Sequence, residues 1–230
     1  MDRKEITAWL RKELFPALKA EGFSQRDGLR LWRHHEDRVD ICELRFLTAD
    51  QAYFIGSTQE SLSVDLGGFF RFLPRPPWLE IPEKAGLLRP KTYDAHVRGC
   101  LVKHLAQANG PDRSDVWHIG LVGDRSDAVL DDLRETCLAD MPGWFDRLGD
   151  YEDLLDVLHH GEETEVRDGI TSFGHFGAKG SPARTLLIAY IARHLGKTHL
   201  AREAFERAIE QEGDGPLAVT LRTDVNSLSK

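Results

Sequence analysis

The stretch LRLWRHHEDRVDICELRF, residues 29–46, decides the fold, because its apolar side chains recur at every second position. Leu29 and Leu31 point one way and Trp32 the other, since successive side chains on a strand alternate between faces. After a polar turn from His34 to Arg38, Val39 to Phe46 alternates again, with Cys42, Leu44 and Phe46 on one side. Two such runs joined by a short polar turn predict a β-hairpin. Adjacent His34 and His35 diverge if the strand reaches them.

Working outward, Tyr53, Phe54 and Ile55 suggest a third strand and Leu62, Val64 and Leu66 a fourth. Gly67 and Gly68 permit a bulge or a close backbone approach before Phe69, Phe70 and Phe72. Asp115 to Leu121, DVWHIGL, reads as a further strand. Strands in succession without intervening helices imply an antiparallel sheet of about five strands, hence an α+β fold with helices on one face. The prolines Pro74, Pro76 and Pro77 open a loop that extends to Pro90. Ala95 to Ala108 is ambiguous: VRGCLV alone reads as a strand, but Val97, Leu101, Leu105 and Ala108 keep a helical spacing, which favours a helix.

Upstream, Asp2 and Glu5 stand at capping-box spacing, and Ile6, Leu10, Leu14 and Leu18 form the apolar stripe of an amphipathic helix that Pro16 interrupts and Gly22 stops. Downstream, Val129, Leu133, Cys137 and Met141 make a helix that Pro142 and Gly143 are expected to break. Trp144, Phe145 and Leu148 then begin another, and Tyr151 to His159 a third. The glycine-rich stretch 161–183 reads as a linker between an α+β domain over 1–160 and a helical hairpin over 184–230. The helices of that hairpin run from Thr185 to Leu195 and from Thr198 to Gln211, and the residues from Pro216 form a partly ordered tail.

The chain has 230 residues, 41% of them hydrophobic, enough to bury a core without metal or disulfide. Its formal charge of -8 argues against an extended nucleic-acid footprint, which requires clustered Lys and Arg. Three cysteines, Cys42, Cys100 and Cys137, lie far apart with no CxxC arrangement, as expected in a reducing compartment. Neither a signal-peptide pattern nor a long apolar span is present, so the expected address is the cytoplasm, with no membrane partner.

Several of these residues carry a resemblance. The helix ending in Leu18, Gly22 and Phe23, the strand around Leu31 and Trp32, the strand from Val39 to Phe46 and the SVDLG stretch at Ser63 to Gly67 resemble the bacterial family called domain of unknown function 4304. Trp117 and the run Trp144, Phe145, Leu148 also suit it. The resemblance covers about 1–160 and implies an α+β domain with no established reaction. Gly196, Ala201, Phe205 and Ala208 in 184–211 resemble the second half of a tetratricopeptide hairpin, though Ala189 and Ala192 depart from its first half. A lone repeat cannot bury its own apolar face, so this hairpin is expected to dock on the main domain or on a partner.

Candidate chemistry is sparse. Arg71 and Arg75 flank an aromatic segment that includes Trp78, and with Arg98 and Lys103 they form the binding surface expected for an acidic partner or an isolated phosphate. The glycine-rich GHFGAKGS stretch offers a weaker anion site at Gly177, Lys179, Gly180 and Ser181, ahead of a helix start, but lacks the phosphate-loop spacing. Without HExxH or paired Cys/His spacing, neither a metal nor a cofactor is expected. No catalytic residue is assigned. The preferred function is a soluble intracellular module that binds a protein partner, or itself, noncovalently. The alternative is a small hydrolase with dispersed residues. His96 or His118 within reach of Asp, Glu or Cys favours the enzyme, and an exposed apolar patch at Ala189, Ala192 or Leu195 favours the module.

Overall fold

The computed structural model describes residues 1–75, 79–106, 113–121, 125–160, 177–213 and 215–228. Helix α1, Arg3–Trp9, starts at the capping box, with the Asp2 side chain accepting from Lys4 and Glu5. A π turn, Leu10–Leu14, separates it from α2, Phe15–Ala20. Phe15 N–H donates to Leu10 O just ahead of Pro16, which has no N–H and would crowd a normal turn, so the helix widens there and carries on. Gly22, at φ 92°, ends it, and Phe23 N–H returns to Leu18 O at 3.1 Å.

The chain then forms β1, Gln25–Asp27, β2, Arg30–His34, and β3, Arg38–Phe46, followed by α3, Ala49–Phe54, and β4, Leu62–Phe70. A small β5–β6 hairpin, Glu83–Lys84 and Leu87–Leu88, interrupts the expected loop, and β7, Val97–Cys100, follows. The main sheet is antiparallel in the order β1-β2-β3-β4-β7. The fold class is therefore the expected α+β, with five strands, though two of them are not those expected. Tyr53 and Phe54 belong to α3 and Ile55 is its C-cap, because Thr48 and Gln51 form a capping box that fixes a helical turn. Val97–Cys100 is a strand and not a helix, since β4 pairs with it from Asp65 to Gly68. Residues 115–121 contribute only the bridge between Trp117 and Leu62.

Alternation gives the sheet two faces. Face A carries Leu31, Cys42, Leu44, Leu62, Val64 and Leu66 into the main apolar cluster, and face B carries Trp32, Val39, Ile41 and Phe69 into a smaller one with Leu88. There is no bulge at the two glycines, where the register with β3 is continuous. They serve close approach: a Cβ on Gly67 would lie 2.8 Å from Ala95 Cβ on face B, and one on Gly68 2.6 Å from Leu148 Cδ1 on face A.

Face A is covered by α1, α2, α4, Ser126–Gly149, and α5, Tyr151–His160. Pro142 does not break α4. Its apolar face, from Val129 through Met141 to Trp144, Phe145 and Leu148, is buried as one strip. Roughly 1.5–3 kcal/mol per large buried side chain outweighs the ~3 kcal/mol proline penalty. Helices α6, Pro182–His194, α7, Thr198–Glu212, and α8, Pro216–Ser227, complete the chain. The tail is thus helical as far as Ser227, and Asp224 ties it to α6 by accepting from Tyr190 Oη and Arg193 Nη1 at 2.7 Å each.

Arg184, at the start of α6, donates from Nε to Leu158 O at 2.7 Å and from Nη2 to Val157 O at 3.3 Å, satisfying carbonyls near the end of α5. His194 stacks on Phe72 at 4.3 Å, so the end of α6 rests on the residues just after β4. One apolar cluster runs from Ile6 to Leu221. Among the described residues, no helix is long and apolar enough to cross a membrane.

Candidate functional site

Face B presents polar groups at both its ends. At the α3 end, Ala52 is buried with Leu47 and Val116, and Ile55 packs against them, which anchors one side of the short helix. That leaves the aromatic side chains on the other side in solvent: Tyr53 is 83% exposed and Phe54 82%, in edge contact at 5.9 Å. Phe54 forms the lip of a pocket of about 220 Å³. Two ion pairs line it. Arg45 Nε meets Asp65 Oδ2 at 2.6 Å, and Arg113 holds Asp115 through Nε and Nη2 at 2.7 and 2.6 Å.

The two carboxyls differ electrostatically. Burial, helped by the Glu43 charge, raises Asp65 above the usual carboxylate range despite Arg45. Burial also acts to raise Asp115, but the hydrogen bond and charge of Arg113 outweigh it and hold that carboxyl below the usual range.

At the hairpin end stand Arg71 and Arg75, joined by two residues that the sequence did not point to, His34 and Arg89. Arg71 Nη2 donates to His34 Nδ1 at 3.2 Å, while Arg89 lies over the Trp32 ring at 5.2 Å and donates to Gln25 Oε1 at 3.2 Å. Arg75 sits over Phe69, 5.9 Å from the ring centroid. The alternation of β2 showed His34 on the Trp32 face, but nothing local linked Arg89 to it across more than fifty residues.

Arg98 and Lys103 come from other parts of the chain. Arg98 lies on β7 opposite Gly67, and Lys103 Nζ donates to Val116 O at 2.9 Å, near the α3 pocket. Trp78 lies outside the described residues. At the weaker anion site, the Ser181 hydroxyl caps α6 by accepting from Arg184 N–H at 3.4 Å, and Gly180 O accepts from Gln211 Nε2 at 2.7 Å. Gly177 lies beside Ser181, and Lys179 is exposed.

The features expected to separate module from enzyme fall elsewhere. His96 stacks on Phe69 at 4.7 Å and accepts from Phe70 N–H at 2.9 Å, and burial pushes its pKa down to about 4. His118 Nδ1 lies 2.7 Å from Ser57 Oγ, and burial, then Lys103, depresses its pKa to about 4. Ser57 also meets Ser61 Oγ at 2.8 Å, so the pair belongs to a hydroxyl network that ties down the turn after α3. Ala189 and Ala192 are fully buried, and Leu195 packs on the main cluster. The most exposed apolar surface among the described residues is the Tyr53–Phe54 edge, ahead of Tyr93 and Val219. The signal for it was the T-x-x-Q spacing at Thr48 and Gln51, which identifies a helix start.

Among the described residues, no group of three or more His, Cys, Asp or Glu is placed to hold a metal ion. Comparison with protein-family models, with curated proteins and with solved structures finds no match to this chain.

Proposed function

We propose that this protein is a noncovalent protein-binding module whose contact surface is the Tyr53–Phe54 edge and its pocket. The observation that carries the reading is the exposure of two adjacent aromatic side chains beside a concave, charge-lined surface. Aromatic anchors with arginines around them dominate binding energy at protein interfaces. On this reading the α6–α7 hairpin, tetratricopeptide-like in its second half, is a structural lid, because its small residues are spent inside the molecule. Kinship of 1–160 with the domain of unknown function 4304 family belongs to the same proposal and adds no reaction.

The test compares wild type with a Tyr53→Ser/Phe54→Ser double variant, by affinity capture from native lysate and by sedimentation velocity for self-association. Loss of a specific partner, or of a dimer, in the double variant alone supports the reading. An identical partner set and identical sedimentation overturn it.

One observation favours the hydrolase alternative: Asp65 is shifted up and Asp115 down in the same pocket, the division of roles that acid–base catalysis uses. Turnover of chromogenic esters or glycosides that Asp65→Asn abolishes supports it, and turnover that survives Asp65→Asn removes it.

A further inference from the structure

The hairpin end of face B lies six residues along β3 from Arg45, roughly 20 Å at a strand's rise per residue, and is independent of the α3 pocket. There the geometry leaves donors without acceptors among the described residues. An arginine nitrogen can only donate, so His34 Nδ1 accepts from Arg71 and the neutral imidazole carries its proton on Nε2. Burial, and then the charges of Arg71 and Arg89, depress the His34 pKa and favour that neutral form. His34 Nε2, Arg71 Nε and Arg89 Nε are all buried, with no hydrogen-bond partner among the described residues. Nor does any described carboxylate form an ion pair with Arg71, Arg75 or Arg89. Three carboxylates of the sheet and its turn are engaged elsewhere: Glu43 by Arg30 and Thr92, Asp40 on the opposite face by Arg33, His35 and Arg38, and Asp37, whose carbonyl accepts from Arg71 N–H, by Tyr151 Oη.

We propose that His34, Arg71 and Arg89 form a binding site for a single phosphoryl-type oxyanion, either inorganic phosphate or the phosphate of a monoester. Two guanidinium charges and a neutral imidazole N–H approach from β2, from the residue after β4, and from the segment that covers face B. A tetrahedral dianion has enough oxygens to accept from all three directions and enough charge to neutralise both arginines. A planar carboxylate, whose two oxygens match one guanidinium fork, does neither. The groups are held in advance, Arg89 by the Trp32 ring and Gln25, and Arg71 by His34, so binding loses little side-chain freedom. Exposed Arg75, resting on Phe69, stands at the rim and contributes charge without a fixed donor.

The test is calorimetric titration of the full chain with inorganic phosphate, O-phosphoserine and phenyl phosphate, with acetate as the carboxylate control. Saturable phosphate binding is expected, weakened roughly tenfold or more by Arg71→Gln and by Arg89→Gln and unchanged by Arg26→Gln on β1. A monoester that binds tighter than inorganic phosphate identifies an esterified ligand, and equal binding identifies the free ion. Acetate binding as tightly as phosphate, or phosphate binding unaffected by both variants, overturns the proposal. Should a variant misfold, arginine Nε and histidine ring NMR signals of the wild type decide. Shifts at Arg71, Arg89 and His34 on adding phosphate support the site, and their absence overturns it.

Discussion

The two faces of one hairpin end handle positive charge in opposite ways. His34 and His35 are neighbours, and the strand sends them to opposite sides of the sheet. On face A, His35 Nε2 and Arg33 Nε each lie 2.8 Å from Asp40, and Arg38 Nε lies 2.6 Å from it. The Asp40 side chain is 0% exposed, and burial acts to raise its pKa. The His35 hydrogen bond and the Arg38 and Arg33 charges outweigh that and hold the carboxyl below the usual range. On face B, His34 meets Arg71 and lies within reach of the Arg89 charge, and among the described residues no carboxylate pairs with either arginine. Cations matched by an internal carboxylate belong to the fold. Cations gathered without one are available to an external anion.

Breaking the matched side is expected to have the largest effect. Asp40→Ala would leave Arg33, Arg38 and His35 facing one another beneath α4 and α5. Removing one partner of a buried ion cluster costs about 3–5 kcal/mol, which urea unfolding measures as a drop in midpoint at unchanged slope. A loss below about 1 kcal/mol would mean that the cluster is solvated and that the contrast between the faces is not one of burial.

Acid sharpens the comparison in two stages. His96 has a folded pKa of about 4 against 6.5 for the free side chain, so between those values the unfolded chain takes up a proton that the folded chain does not. Stability from this group is therefore complete above pH 6.5 and falls as the pH drops toward 4, by up to about 3 kcal/mol. His118 acts in the same direction. Asp40 has a lowered folded pKa, so its contribution persists through that range and is lost only below about pH 4, as the pH falls through its folded value. Unfolding free energies from pH 7 to 3 are expected to show both stages. His96→Phe is expected to flatten the upper stage and leave the lower one, and an unchanged upper slope would assign that stage to other groups.

The hairpin itself was legible, because period-two alternation in residues 29–46 left little freedom in either strand. The Asp2–Glu5 cap and the apolar strip of α4 as far as Met141 were legible for the same reason: spacing alone fixes them. What misled was short-range composition. Tyr53, Phe54 and Ile55 read as a strand by side-chain type, whereas the chain there follows the cap at Thr48. Val97–Cys100 carried a helical spacing, but β4 offered it an edge. Pro142 read as a break although the burial on either side of it was worth more. Of the hairpin-end site, Arg71 and Arg75 were visible beside their aromatic run. His34 and Arg89 join them only through strand parity and through a covering segment whose path no local pattern encodes.

A smaller effect is expected at the other end of face B. Thr48 Oγ1 accepts from Gln51 N–H at 3.2 Å, and Gln51 Oε1 accepts from Thr48 N–H at 3.0 Å. Thr48→Ala removes half of this box and is expected to cost about 1 kcal/mol. Because α3 carries Tyr53 and Phe54, the same variant is expected to weaken any contact made by that edge, while Thr48→Ser restores both. Binding that survives Thr48→Ala at full strength would place the contact surface elsewhere.

The smallest stability change is expected at Arg71, and there its sign is informative. Arg71→Gln deletes a hydrogen bond to His34, worth about 1 kcal/mol, but also removes one of two unmatched charges beside a partly buried imidazole. The backbone link from Arg71 N–H to Asp37 O, at 2.7 Å, is untouched. These effects oppose each other, so the unfolding free energy is expected to stay within about 0.5 kcal/mol of wild type. A loss of about 2 kcal/mol or more would place Arg71 in the fold's own charge balance, as on face A. Near-neutrality in unfolding, set against a large loss at Asp40, would mean that the fold does not need this guanidinium, which leaves recognition as the reason to hold it half-buried and without a carboxylate.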